Sequence, residues 1–394
     1  MTDVYATAAD LDLAPAGFVR AIEELPLVDQ HVHGVVPRDL SRTAFEELIT
    51  ESDRPVPEWM TQFDSQTGYA ILRHCAPVLG LEPHCTPEEY LARRARLGAG
   101  EVNRLLLGAA NVAHYLVETG YRGEELVGPS GMAELTGVPA DEVVRLETVA
   151  EQVAAGGCAA SSFADAFARE LWERTGSARG LKSVAAYRHG LDLDPEPPSR
   201  AEVTEAAGRW LGSGGGKLTE PVLLRHVIWA GIERGLPIQF HTGLGDPDLD
   251  LRRADPLLLR GLVERAEPTG VPLVLLHCYP FQRHAGFLAQ AYPNVYFDVG
   301  LGVTYTGARS VALVAESLEL APFAKILFSS DGWGPAELHH LGAVLWRRAM
   351  ARVLGRLVLD GEWSAEQAMR VAAMVGADNA RRVYGLGTRE ESTG

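Results

Sequence analysis

His31 and His33, in the stretch Asp29-Gln-His31-Val-His33-Gly34, close the short apolar run Leu25-Pro-Leu-Val28. In a β-strand the side chains at i and i+2 share a face. The two imidazoles would therefore project together from one strand end and could hold a single metal ion. Three later apolar runs also finish on a residue able to bind a metal: Leu236-Pro-Ile-Gln-Phe-His241, Pro272-Leu-Val-Leu-Leu-His277 and Lys325-Ile-Leu-Phe-Ser-Ser-Asp331. One strand-end histidine is usually a satisfied core residue; four such endings in one chain form a pattern.

The chemistry this pattern suits is activation of water. Metals that activate water are held by neutral imidazoles and carboxylates with a position left open. His31, His33 and His241 would supply three nitrogen donors and Asp331 one oxygen, a set that suits zinc, with manganese or iron as alternatives. A bound divalent ion lowers the pKa of its water toward ~7. Asp331 could take the water's proton and pass it to a leaving nitrogen. His277 could bind a second ion or polarise a substrate carbonyl, so the site has room for one or two metals.

These residues need a frame that brings distant strand ends together. From about residue 180 the chain alternates β-rich runs with longer amphipathic stretches such as 220–234, a pattern that argues for βαβ units around a parallel sheet. Val112-Ala-His-Tyr-Leu-Val117 and Val143-Val-Arg-Leu146 read as earlier strands, which places eight strands near 27, 112, 143, 181, 237, 272, 294 and 325. Eight parallel strands with intervening helices make an α/β fold, a (β/α)8 TIM-type barrel, whose active site lies at the strand C-termini. The charged helical segment from about 41 to 107 reads as an insertion after strand one lying over one end of the barrel. Further helices are expected from about 336 to 386, within a single metal-dependent hydrolase domain spanning 1–394. Gly212-Ser-Gly-Gly-Gly-Lys217 lacks both a preceding strand and the GK[ST] ending of a phosphate loop, so it reads as a flexible loop before a helix. The tail from Thr388 to Gly394 is polar and reads as frayed.

The order of HxH on strand one, histidines on strands five and six and aspartate on strand eight resembles the amidohydrolase superfamily. The ending Asn379-Ala-Arg-Arg-Val-Tyr-Gly-Leu386 is similar to that family's closing helix. Phe240-His-Thr-Gly-Leu-Gly-Asp246, His277-Cys-Tyr-Pro-Phe281 and Tyr296-Phe-Asp-Val-Gly300 resemble one branch, the amidohydrolase-related domain that occurs alone in bacteria or fused to a glutamine synthetase-like domain in fungi and plants. The resemblance implies hydrolysis of a C–N bond. The fusion suggests a glutamyl or other amino-acid-derived amide as substrate, a step that rests on analogy. In binuclear members a carboxylated lysine on strand four bridges two metals. Lys182 is on the fourth run, Gly180-Leu-Lys-Ser-Val-Ala-Ala-Tyr187, but near its start, so bridging requires the strand to end several residues earlier; otherwise Lys182 pairs with a site carboxylate or caps the barrel bottom.

Arg188, one residue past that run, is placed to grip a substrate carboxylate with its guanidinium fork. His189, Glu118, Asp246, Tyr279 and Arg283 also follow strand ends; Tyr279 is taken as a substrate contact. Trp333 would form an apolar wall beside Asp331. His339 and His340 read as surface residues or supports behind the ligands.

A net charge of −16 over 394 residues excludes nucleic acid as a natural partner, since phosphate binding needs a basic surface. Four cysteines, Cys75, Cys85, Cys158 and Cys278, form no CxxC pair and read as reduced thiols in the cytoplasm. The first sixteen residues lack the basic and apolar regions of a signal peptide, and no run of about 18 apolar residues suggests a membrane span. The expected partner is a small-molecule substrate; a homo-oligomer is left open. The leading reading is a metal-dependent amidohydrolase. Related barrels with one metal instead break a C–C bond, so a non-oxidative decarboxylase is the alternative, with His277 as proton donor. A catalytically silent barrel acting as scaffold or sensor is the remaining class, and intact ligands at every strand end argue against it.

Overall fold

The computed structural model describes residues 5–387; the expected frayed tail from Thr388 lies outside them, as do the first four residues. Seven parallel strands run side by side in chain order: β1 (Leu27–Val32), β2 (Val112–Glu118), β3 (Ala140–Arg145), β4 (Gly180–Ser183), β5 (Ile238–Thr242), β6 (Leu273–His277) and β7 (Val295–Phe297). Short all-buried strands such as β5 and β6 are what a sheet covered on both faces demands.

The eighth expected strand does not form a ladder. Instead, residues 326–334 run between β7 and β1 and bond irregularly to both. Leu327 N–H donates to Phe297 O at 2.9 Å, Asp331 N–H to His31 O at 3.1 Å and His33 N–H to Gly332 O at 2.8 Å. The curled sheet thus meets itself through this segment, an arrangement consistent with a TIM-type barrel. Regular pairing fails because Asp331 adopts φ 50°, a left-handed conformation that no strand tolerates. The register of β1 against β2 also slips between Asp29 and Val32, a bulge that re-aims the histidine pair.

Between β1 and β2 the chain passes through several helices, including Arg42–Glu47, Pro87–Leu97 and Ala99–Ala110. The second begins with a Thr86–Glu89 capping box and Pro87 at its first turn. The third ends at Asn111 in a left-handed turn directly before β2, so it serves as the β1–β2 crossover helix. A buried ion pair fastens this region to the helix Ala336–Leu359: Arg94 Nε lies 2.7 Å from Glu337 Oε1, and Tyr90 Oη donates to the same oxygen at 2.8 Å. The C-terminal part adds the helices Ala365–Ala373 and Asn379–Tyr384. None of the described helices is long and apolar enough to cross a membrane. The four cysteines are free of disulfides.

Candidate active site

At the strand C-termini lies a cavity of about 580 Å³ lined by His31, His33, Lys182, His241, His277 and Asp331. These are the six metal-site candidates, drawn from β1, β4, β5, β6 and the 326–334 segment. Ligand atoms of His31, His33 and Asp331 all fall within 4.8 Å of one another. Asp331 Oδ1 is 3.1 Å from His31 Nε2 and 3.8 Å from His33 Nε2, and Asp331 Oδ2 is 3.5 Å from His277 Nδ1. His241 packs against His277 with ring centroids 4.6 Å apart, while its Nε2 faces Leu244 O at 3.0 Å.

Neighbouring hydrogen bonds fix the histidine tautomers, and the chain of logic starts at Asp298. Its carboxylate can only accept, so Gln30 Nε2 donates to it at 2.5 Å and Gln30 Oε1 faces Tyr384 and Gln239. Gln239 Nε2 donates to the backbone O of Gln30 at 2.7 Å, which leaves Gln239 Oε1 to accept from His31 Nδ1–H at 2.8 Å. His31 therefore offers an Nε2 lone pair to the site. His33 does likewise, because its Nδ1 donates to Glu118 through both the backbone O and Oε2 at 3.1 Å each. Arg145 grips Glu118 with two bonds, at 2.9 and 2.7 Å. Burial alone would raise the Glu118 pKa, but Arg145 and His33 more than offset it and hold the carboxylate well below its usual range. Such carboxylate–histidine pairs orient metal ligands and raise their basicity.

Burial and the nearby Lys182 push the His31 pKa down to about 4, and His241 and His277 also lie well below the ordinary value, chiefly through burial. All three are neutral, the form that binds a metal. Asp331 Oδ1 and His277 Nδ1 are buried with no hydrogen-bond partner. An orphaned carboxylate oxygen and an orphaned imidazole nitrogen facing two tautomer-fixed imidazoles fit a divalent cation. The backbone supports this aim: His277 and Asp331 have φ of 69° and 50°, and Asp298 Oδ1 holds the first turn by accepting His277 N–H at 2.8 Å. Left-handed non-glycine residues cost of order 1–3 kcal/mol each and persist where packing over-determines them, as at active sites.

Lys182 occupies the third of four residues in β4, hence at the C-terminal end, because the run expected to extend to Tyr187 stops at Ser183 and turns into the helix Ala185–Arg188. Its Nζ is 3.5 Å from His31 Nε2, and burial lowers its pKa to about 8. Arg188 also lines the cavity; Nη2 pairs with Glu151 at 3.1 Å while Nη1 is buried without a partner. Trp333 forms a wall, edge-on to Tyr121.

Tyr279 is not among the lining residues, which corrects its assignment as a substrate contact. Its ring is turned toward Gly302 and its carbonyl accepts Leu244 N–H at 2.7 Å, so it supports the loop after β5 instead. Arg283 is exposed and paired with Glu319, and His189 is likewise absent from the lining. His339 and His340 are both buried, and His339 Nε2 supports the backbone O of His33 at 3.0 Å. Glu51, Arg145 and Lys217 line the cavity without having been singled out. Arg145 ends β3 and was visible as a strand-end residue; Lys217 leaves the glycine loop to pair with Asp248 at 3.1 Å. Glu51 comes from an irregular stretch that offers no periodicity to read.

A family model described as Amidohydrolase matches residues 145–386, well over half of the chain. The chain belongs to the amidohydrolase family. Protein fluG of Emericella nidulans is 33% identical over an alignment of 228 positions that covers 54% of this amidohydrolase and 26% of the fungal protein. The chain thus spans about a quarter of that relative's length. A solved structure from Lactobacillus casei ATCC 334, provisionally described as a metal-dependent hydrolase, is 27% identical, with a TM-score of 0.82 over 93% of this chain and 97% of that one. A uronate isomerase from Bacillus halodurans C-125 shares the fold at 15% identity and a TM-score of 0.66, covering 98% of this chain and all of its own. The amidohydrolase assignment accords with a divalent metal at the His31–His33–Asp331 cluster.

Proposed function

We propose that this amidohydrolase cleaves an amide-type C–N bond in a small carboxylate-bearing molecule, of the glutamyl or N-acyl amino-acid class, with zinc at the His31–His33–His241–Asp331 site. The observation that carries this reading is the orphaned Asp331 oxygen beside two imidazoles whose lone pairs are aimed by Gln239 and Glu118. When bound, a divalent ion supplies Lewis acidity toward water and the scissile carbonyl. Asp331 is the group that accepts the proton of the attacking water and returns it to the leaving nitrogen as the C–N bond breaks. Neutral His277, from the neighbouring strand, is placed to bind beside the carbonyl oxygen or to hold a second ion. Arg188 takes the substrate carboxylate on its free Nη1, and Trp333 walls the opposite, Glu51 side of the cavity. Lys182, at the end of β4 with its Nζ 3.5 Å from His31 Nε2, would be the residue to carry the carboxylate that binuclear relatives use, and such a role would favour hydrolysis over decarboxylation.

The test is a metal-stripped protein reconstituted with zinc, then assayed on γ-glutamyl amides, N-acyl amino acids and aromatic carboxylates. Zinc-dependent release of amine supports the reading. Release of carbon dioxide from the aromatic acids with no amide cleavage would overturn it.

A further inference from the structure

The cavity has an acidic wall that the reaction as proposed does not use. Glu51 lines both the main cavity and an adjoining cleft of about 420 Å³, which it shares with Tyr121, Asp246 and Trp333. Its Oε1 is closed to solvent and has no hydrogen-bond partner. The neutral side chains of Tyr305 and Trp333 face the Glu51 carboxyl and can steady it but cannot balance its charge. Asp246, half-buried beside it, has no basic partner within 4.0 Å among the described residues either.

The cations of this cleft are already spoken for. Arg122 and Arg38 both pair with Glu125, at 2.7 and 3.7 Å, and Arg54 pairs with Asp53 at 3.1 Å. Lys217 is held by Asp248. Of the other cations lining the main cavity, Lys182 lies against His31, Arg145 is paired with Glu118, and Arg188, whose Nη1 has no partner, lies beside Glu151 and outside the adjoining cleft. A buried charge without a counter-charge is costly, and burial together with Asp331 pushes the Glu51 pKa up to about 7. A ligand that brings a cation to this wall relieves that cost.

We infer that the substrate is cationic at the end opposite its carboxylate, with a protonated amine held by Glu51 and assisted by Asp246 while Arg188 takes the carboxylate. This deepens the proposed hydrolase reading, on which it rests: the amide lies between the two charges, over the metal cluster, and one half of the substrate is an amine carrying a second amino group. Glu51 is then a specificity residue. It rejects neutral chains because they would leave its carboxylate buried and unpaired, the strongest form of discrimination available to a polar pocket.

Two probes separate the ideas: N-(4-aminobutyl)glutaramic acid, which has both charges, and N-butylglutaramic acid, which lacks only the cation. The affinity of each for the zinc-reconstituted protein, with wild type and Glu51→Gln, is measured by calorimetry where the probe is not turned over and as an initial-rate KM where it is. The wild type is expected to prefer the aminobutyl compound by about tenfold or more, the usual worth of a charge-assisted hydrogen bond. Glu51→Gln is expected to abolish that preference, weakening the aminobutyl compound and binding the butyl compound no worse than the wild type does, with metal content unchanged. Asp246→Asn, a milder change at a half-buried position, is expected to reduce the preference in part. Equal binding by the wild type, binding of neither probe, a preference that survives Glu51→Gln, or loss of metal in that variant overturns the inference. Cleavage is read separately: an intact cation preference with no hydrolysis of either probe refutes the hydrolase reading alone, whereas hydrolysis of both with no preference refutes the inference alone.

Discussion

Replacing Glu118 by Gln separates the structural and metal-supporting roles of one buried carboxylate. Glu118 accepts four bonds through its side chain: two from Arg145, one from Gly120 N–H at 2.8 Å and one from His33 Nδ1 at 3.1 Å. A glutamine amide keeps one accepting oxygen, so whichever way it is turned its NH₂ meets N–H donors of Arg145. The guanidinium, 12% exposed, also loses its counter-charge. Removing one partner of a buried pair costs about 3–5 kcal/mol, and the retained oxygen places Glu118→Gln near the lower end. Metal affinity should fall less steeply. His33 Nδ1 still has the backbone O of Glu118 at 3.1 Å to donate to, so its tautomer survives. The expected loss is about tenfold, the bottom of the 10–100-fold range for residues behind a metal ligand. Stability is read from urea unfolding, and zinc affinity from competition with a chelator. Unchanged stability would refute the account of Arg145 as a charge balanced by Glu118. A loss of affinity beyond about 100-fold with stability retained would show that Glu118 binds the ion itself. Coupling Glu118→Gln with Arg145→Met removes the stranded cation and should recover part of the lost stability.

Three further outcomes are expected. Asp331→Asn keeps an oxygen donor but removes the proton acceptor, so turnover on an identified amide should drop about 10²–10⁴-fold with zinc partly retained; a drop under about tenfold would move the role to His277. Arg188→Ala should raise KM for a carboxylate substrate by about 10–100-fold and hardly affect its neutral ester, since a hydrogen bond to a charged group is worth about 1.5–3 kcal/mol; equal losses on both would reduce Arg188 to a partner for Glu151. Gly34→Ala puts a Cβ 1.8 Å from Val127 O. Overpacking against backbone should cost at least about 1–3 kcal/mol and displace His33, lowering both unfolding midpoint and zinc content; a variant with full zinc and stability would mean that the 127–128 turn yields freely.

The strand-end candidates for metal binding were legible because each terminates an apolar run, and burial demands such runs in a covered parallel sheet. His31, His33, His241, His277 and Asp331 accordingly sit where their spacing places them. What misled was local. Gly180–Tyr187 reads as one strand because Val, Leu and Tyr suit a sheet, yet the chain turns at Val184 and forms a helix through Ala185, Ala186 and Arg188. That early stop is what carries Lys182 to the cavity. Residues 326–334 read as a strand but bond irregularly, since Asp331 must turn out of the extended region to face the histidines. Gln239 could be seen as a polar residue inside an apolar strand, but its purpose needs His31, 208 residues away. Glu51 and Tyr279 depend on loop paths, for which sequence has no period.

The closing segment also has a temporal meaning. Asp29 Oδ1 accepts the N–H of Ser330 across 301 residues of chain, and His31 and His33 meet Asp331 over a similar separation. On a ribosome adding about 5–20 residues per second, the first strand emerges roughly 15–60 s before the segment that completes its ligand set. Loop-closure entropy further delays a contact of that span. The nascent chain therefore presents the HxH pair first and the candidate donors His241 and His277 later, and Asp331 joins them only as a late event. Metal capture then reports that the sheet has met itself.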